Sequence, residues 1–261
     1  MCSQHSIQYN NAARLPCRIL VGVVSSDKLR FTGYKFHMVF PLLILAFQDT
    51  AAFEPSSSYK ETSIEGFQLK ISKDAVEAPE ELEPAMALLE LRIREIVRRV
   101  PVKSLETLRK IPIWIERKSS KFPCMCYHES AQWLKENGLN PEKAKGVELA
   151  NLKNFVLWSF DQPLMVLHEY AHGYHDLKFG FGGEPVKSAF DLAMKSKLYD
   201  SVSYYRGQKR KAYAATNPME YFAELSEALF GYNDYYPFTS PELAEHDPRG
   251  FAMVKAAWGV D

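Results

Sequence analysis

Two imidazoles four residues apart, with a carboxylate between them, are the part of this sequence best suited to chemistry: His168-Glu169-Tyr170-Ala171-His172. On an α-helix, residues i and i+4 differ by about 40° in direction, so both rings can reach one cation at about 2.0–2.1 Å. Glu169 is turned about 100° from His168 and flanks such an ion without ligating it. A zinc ion held this way brings the pKa of a bound water toward about 7 and polarises a carbonyl under attack. The glutamate can take the water's proton and pass it to a leaving amine. An apolar run, Pro163-Leu164-Met165-Val166-Leu167, precedes the motif and argues against a solvated surface helix. Asp161 or Gln162 is expected near the helix start, with Pro163 in its first turn. Buried neutral histidines paired with a carboxylate are the competing reading.

Two histidines need a third protein ligand and an open position for water. The strongest candidate is Glu220, in Tyr213-Ala214-Ala215-Thr216-Asn217-Pro218-Met219-Glu220-Tyr221-Phe222-Ala223-Glu224. Asn217 reads as a helix cap and Pro218 as the first helical residue. Glu220 and Glu224 then share a face, while Phe222, Leu225, Ala228 and Leu229 pack the other side. Stacked carboxylates beside apolar residues are costly without a cation to meet them; the alternative is a solvated acidic stripe. His175 reads as a helix-end histidine near the site rather than a ligand. Asp176 is either an acid supporting a ligand or part of the turn after the helix. Tyr204 and Tyr205 compete with Tyr213 as donors to an oxyanion, but read as core aromatics. His128 reads as structural, and Lys209, Arg210 and Lys211 as a solvated loop.

The motif helix followed by the Tyr213–Glu224 block resembles the gluzincin type of zinc metallopeptidase, in particular the catalytic domain of anthrax lethal factor and its relatives. That family carries Tyr-x-x-Thr-Asn-x-x-Glu-Phe-Phe-Ala-Glu after its metal helix. Tyr213, Thr216, Asn217, Glu220, Phe222, Ala223 and Glu224 match it in register, and Tyr221 departs conservatively. The resemblance covers about two dozen residues directly. It implies Glu220 as third zinc ligand, Tyr213 as the donor to the developing oxyanion, and Glu224 as the carboxylate that orients a ligand histidine. A phenol can donate to a tetrahedral intermediate, and metal-bound histidines usually need an orienting partner.

These residues need elements to position them. Phe67, Leu69 and Ile71 alternate with polar residues as a half-buried strand does. From Pro79 to Arg99, Leu82, Met86, Leu89, Ile93 and Ile96 recur at helical spacing, with acids at the start and arginines at the end. Ile111–Glu116, Cys124–Tyr127 and Val147–Ala150 read as extended runs, and Ser130–Asn137 as a helical turn ending at Gly138. Val147, Glu148 and Leu149 are read as an edge strand that pairs with an extended peptide through main-chain hydrogen bonds; a plain sheet edge is the alternative. Beyond Asp176 the pattern is largely helical: Glu184–Leu198, Pro218–Phe230 and Pro241–Trp258. The expected fold is α+β and zincin-like, a mixed-sheet lobe followed by a helical lobe with the metal helix between them, and a ligand cleft between lobes.

The chain's 261 residues suffice for such a domain, and 46% apolar with 25% charged residues is ordinary globular material. Lys+Arg and Asp+Glu balance at 32 each, which supplies no electrostatic reason to expect nucleic acid or an anionic membrane. Residues 1–52 read as an N-terminal extension holding a secretory signal. Its apolar segment begins at Met38, and Thr50, Ala51 and Ala52 are small residues for cleavage. Ten or so apolar residues are too few for a helical membrane span; a buried core element, in a cytoplasmic protein, is the alternative. Residues 53–62 read as a linker and 63–261 as the catalytic domain. Of the four cysteines, Cys2, Cys17, Cys124 and Cys126, none has Cys-x-x-Cys spacing. Cys124 and Cys126 would share a strand face, where a bridge is strained; they read as structural or free thiols, with a redox or metal role as the alternative. The expectation is a secreted or cell-envelope zinc metallopeptidase binding one zinc ion and a peptide or protein substrate. Its rivals are a zinc amidase acting on a non-protein amide and a zincin-like binding module without turnover.

Overall fold

The computed structural model describes residues 53–119 and 121–261. The candidate signal near 38–52, Cys2 and Cys17 lie outside them. The described chain is α+β, with a mixed five-stranded sheet and ten α-helices. It opens with a 3-10 turn at Ser56–Ser58, then β1 (Lys60–Ile64) and β2 (Phe67–Ile71), an antiparallel hairpin. Residues 53–62, expected to be a linker, thus hold a turn and most of a strand. The reason is exposure. β1 is an edge strand, exposed along nearly all its length, so its residues are as polar as those of a loop.

Helices α1 (Lys73–Val76), α2 (Pro79–Arg99) and α3 (Val102–Leu108) follow. In α2, Ala85, Leu89, Ile93 and Ile96 make the buried stripe, with Glu80 and Glu81 in the first turn and Arg98 and Arg99 in the last. Next come β3 (Ile113–Ile115), β4 (Met125–Tyr127), α4 (Ala131–Glu136) and β5 (Val147–Leu149). The spatial order is β1-β2-β3-β5-β4. β2, β3 and β5 run parallel, while β4 returns antiparallel to β5. Val147, Glu148 and Leu149 are therefore not the sheet edge. They are enclosed on both sides and buried, and the edge belongs to β4. All-apolar or buried short strands do not announce which of them is outermost, because edge position is a long-range pairing decision.

Next come α5 (Leu152–Trp158), α6 (Met165–Phe179), α7 (Val186–Lys195), the two-residue strands β6 (Val202–Ser203) and β7 (Lys209–Arg210), α8 (Pro218–Phe230), α9 (Ser240–His246) and α10 (Pro248–Trp258). Helix α6 begins two residues past Pro163 and carries Asp176 inside it rather than in a following turn. The expected single helix over Pro241–Trp258 is two. Asp247 ends α9, and its side chain accepts the Gly250 amide to start α10. Pro248 disfavours helical backbone at the residue before it. Asp247 also accepts hydrogen bonds from the Tyr199 and Tyr221 hydroxyls, at 3.1 and 2.6 Å, which ties three helical segments together.

Helix α6 packs on the sheet through Tyr170, whose ring meets Phe67 edge-on at 5.2 Å, and on α10 through Tyr174, stacked on Trp258 at 4.0 Å. Gly173 permits this approach. A Cβ there would lie 2.6 Å from Ile111 Cδ1 and 3.0 Å from the Tyr127 ring. No helix among the described residues is long and apolar enough to cross a membrane. A valine at Gly173 adds branched bulk against β4 and the segment leading into β3. Gly173→Val should lower unfolding free energy by about 2–3 kcal/mol, read by urea denaturation.

Candidate metal centre

Helix α8 is buried from Glu220 through Ala228 without interruption. Its neighbours are α6, α7, α9 and α10, so no face of it is left for solvent. Three carboxylates, Glu220, Glu224 and Glu227, are buried with it. The helix starts as expected: the Asn217 side chain accepts the Glu220 amide at 2.9 Å and Pro218 follows the cap. That turn aims Glu220 across to α6.

On α6, His168 is buried and His172 half-buried, with ring centroids 4.7 Å apart. Glu220 Oε2 lies 3.1 Å from His168 Nε2 and 3.4 Å from His172 Nε2. His168 Nε2, His172 Nε2 and Glu220 thus offer three donor atoms within 4.8 Å of one another. A tetrahedral ion with ligand bonds of about 2.0–2.1 Å has ligand atoms about 3.3 Å apart, so these separations suit one.

The other side of His168 sharpens the point. Its Nδ1 donates to Glu227 Oε1 at 2.5 Å, while Glu224 Oε1 is 3.9 Å away. With Nδ1 carrying the proton, a neutral ring turns a lone pair from Nε2 toward Glu220. Two acceptors 3.1 Å apart repel unless positive charge sits between them. The Glu220 carboxylate meets the two imidazoles and the Tyr213 hydroxyl, and no lysine or arginine pairs with it among the described residues. Burial alone would raise the Glu220 carboxyl; the His172 and His168 rings beside it hold it well below the usual carboxylate range. Two imidazolium ions could supply that charge. A divalent cation supplies it with both rings neutral, and the donor set, two imidazoles and a carboxylate, is one that zinc takes.

The remaining residues fall around this centre. Glu169 Oε2 accepts the Tyr127 backbone amide at 2.8 Å, which fastens the carboxylate to β4. Tyr213, in a 3-10 turn over Tyr213–Ala215, donates to Glu220 Oε1 at 3.1 Å. Asp176 accepts from the Tyr127 hydroxyl at 2.7 Å and from Lys145 Nζ at 2.5 Å, and so fastens β4 to α6. It does not orient a ligand: His172 Nδ1 is buried with no hydrogen-bond partner among the described residues. Val147, Glu148 and Leu149 lie inside the sheet, and the Glu148 carboxylate is bonded to His128 and Lys143 rather than to anything at this centre. Tyr204 and Tyr205 meet edge to face beside the β6–β7 hairpin, and the Tyr205 ring is exposed rather than part of the core. His175 stands apart in an aromatic pocket of Phe179, Phe181 and Phe222.

Sequence reasoning missed Glu227 and assigned its role to Glu224. The signal was present: Glu220, Glu224 and Glu227 follow i, i+4 and i+7, one helical face. Only the packing decides which carboxylate meets Nδ1. In comparisons with protein-family models, curated proteins and solved structures, nothing matches this chain.

Two outcomes follow. Glu227→Gln should weaken zinc affinity by about 10–100-fold and Glu224→Gln by less, measured by competition with a chromogenic chelator. The second concerns His175, which burial and then the neighbouring His172 push down to about 4. Between pH 4 and 6.5 the unfolded chain therefore binds more protons than the folded one. Stability falls as pH drops through that window, by on the order of 3 kcal/mol. Denaturant titrations in chelator should show a shallower acid-side slope for His175→Phe.

Proposed function

We propose that this chain is a zinc-dependent metallopeptidase of the gluzincin type, hydrolysing peptide bonds. One observation carries the reading: His168, His172 and Glu220 converge from two separate helices at tetrahedral spacing, with Glu169 and Tyr213 beside them. On this reading the sheet with α2, α3 and α5 is one zincin lobe, α7–α10 the other, and α6 runs between them. One zinc ion at this centre would be held by those three side chains.

Zinc, when bound, supplies a Lewis acid and makes water nucleophilic at neutral pH. Glu169 is the general base. Its Oε2 is committed to the Tyr127 amide, so its other oxygen takes the proton of the attacking water and hands it to the departing amine. The Tyr213 hydroxyl donates to the carbonyl oxygen as that atom gains negative charge. Glu227 keeps the His168 ring turned so that Nε2 faces inward.

The β4 edge accounts for a peptide as substrate. Cys124 O accepts from Ala150, and His128 pairs through both backbone groups with Gly146 and Lys145. Antiparallel alternation then turns the backbone groups of Met125 and Tyr127 away from β5, and the Tyr127 amide is seen bonded to Glu169. With the Tyr127 amide held by Glu169, an extended peptide laid along this edge would pair with the Met125 backbone groups and the Tyr127 carbonyl and bring a carbonyl to the base. This transfers to β4 the substrate-pairing role first read for Val147–Leu149. An amide outside a peptide would gain little from a strand edge, which favours the peptidase over the amidase. A secreted or cell-envelope setting stays part of the proposal through the segment at 38–52.

Digestion of a peptide library, with zinc measured in parallel, tests this. Glu169→Gln should keep its zinc and lose cleavage by roughly 10²–10⁴-fold. Tyr213→Phe should lower kcat by roughly 10²–10³-fold with KM little changed. Undiminished cleavage by Glu169→Gln would sink the assignment.

A further inference from the structure

The opposite face of the sheet carries a second group of converging donors. Cys126 and Glu148 are cross-strand partners in β4 and β5, and His128 lies two residues beyond Cys126. The strand alternation sends Met125, Tyr127, Val147 and Leu149 into the main core under α6. Cys126 points the other way, into a small apolar cluster with Phe122, Ala150, Trp133 and Leu139. Cys126, His128 and Glu148 are all buried, at 5%, 3% and 2% exposure. Their ligating atoms lie within 4.8 Å of one another.

The donors meet at one nitrogen. His128 Nε2 is 2.6 Å from Glu148 Oε2 and 3.7 Å from Cys126 Sγ. The 2.6 Å contact is a direct hydrogen bond, and an ion bonded to both atoms would hold them about 3.3 Å apart, so the pair opens to admit one. A cation among the three serves all of them at once. We infer that Cys126, His128 and Glu148 form a second, thiolate-containing zinc site, separate from the centre on α6. Thiolate, imidazole and carboxylate are the three ligand types zinc takes, and a water or a further donor completes four-coordination.

The surroundings suit a fixed structural ion. Lys143 Nζ donates to the other Glu148 oxygen at 2.8 Å and to Glu116 at 2.6 Å, and the Tyr59 hydroxyl donates to Glu116 at 2.5 Å. These contacts orient Glu148 so that Oε2 faces His128. The ring of Phe122 lies 5.1 Å from that of His128. With thiolate, Glu148, Glu116 and Lys143 charged, the belt sums to minus two, which one zinc ion neutralises. Binding releases the thiol proton to solvent. The metal-free alternative is a protonated His128 paired with Glu148.

Cobalt distinguishes the two, because thiolate bonded to cobalt(II) absorbs in the near ultraviolet and a site of imidazoles and carboxylate does not. The full chain, loaded with cobalt in place of zinc, should show that band. His168→Ala/His172→Ala should keep it, and Cys126→Ser should lose it. Zinc content should fall by one ion per chain in Cys126→Ser and, independently, by one in His168→Ala/His172→Ala. Absence of the band in the unaltered chain, or its persistence in Cys126→Ser, overturns the second site. An unchanged zinc content in the double histidine variant would instead strike the proposed peptidase centre and leave this site standing.

Discussion

The bond between His168 Nδ1 and Glu227 organises the centre. It takes the ring's proton to the far side and leaves Nε2 facing a buried carboxylate. The same carboxylate faces His172 Nε2. With both rings neutral and their protons on Nδ1, three electron-rich atoms point at one another inside a protein, where charge is poorly screened and unpaired charge is expensive. Positive charge relieves it, carried by the imidazoles themselves or by a cation between them. The rest of the molecule holds it in place.

Helix α8 shows how. Burial on every side is what forces Glu220, Glu224 and Glu227 out of water, and its neighbours α7, α9 and α10 exist to enclose it. The Asp247 knot holds that enclosure. One carboxylate caps α10 and takes the hydroxyls of Tyr199 and Tyr221. Trp258 Nε1 donates to Ser226 on the inner side of α8, and the Trp258 carbonyl accepts from Ser104 on α3. The C-terminal helix therefore links the carboxylate-bearing helix to the segment that leads into the sheet.

β4 has two faces with different chemistry. Toward α6 it presents Tyr127, whose amide holds Glu169 and whose hydroxyl holds Asp176. Away from α6 it presents Cys126, with His128 close behind, in a buried polar belt. Cys124 lies before the strand and does not share that side; its sulfur packs against Met165 on α6. The two thiols, two positions apart, belong to different environments: Cys124 meets Met165 on α6, and Cys126 sits in the outer cluster. An ion on the outer face would stiffen the strand whose inner face positions the proposed base.

Local signals were legible without any coordinates. The i, i+4 histidines needed only helical periodicity, and Asn217-Pro218 needed only cap chemistry; both concern neighbours within a turn or two of chain. The buried stripe of α2 and the strand at Phe67–Ile71 were readable for the same reason. What the sequence left open was every choice among chemically equal candidates. Glu224 and Glu227 are both glutamates on one face, and α6 packing alone gives Nδ1 to Glu227. Val147–Leu149 and Met125–Tyr127 are both short buried strands, and only long-range pairing puts β4 at the edge. The polar residues 53–62 read as a linker because an edge strand and a loop are solvated alike. Composition and periodicity determine what each segment can do with its near neighbours; which distant segment it meets is settled by packing, where the energies are shared among many residues and written in none of them singly.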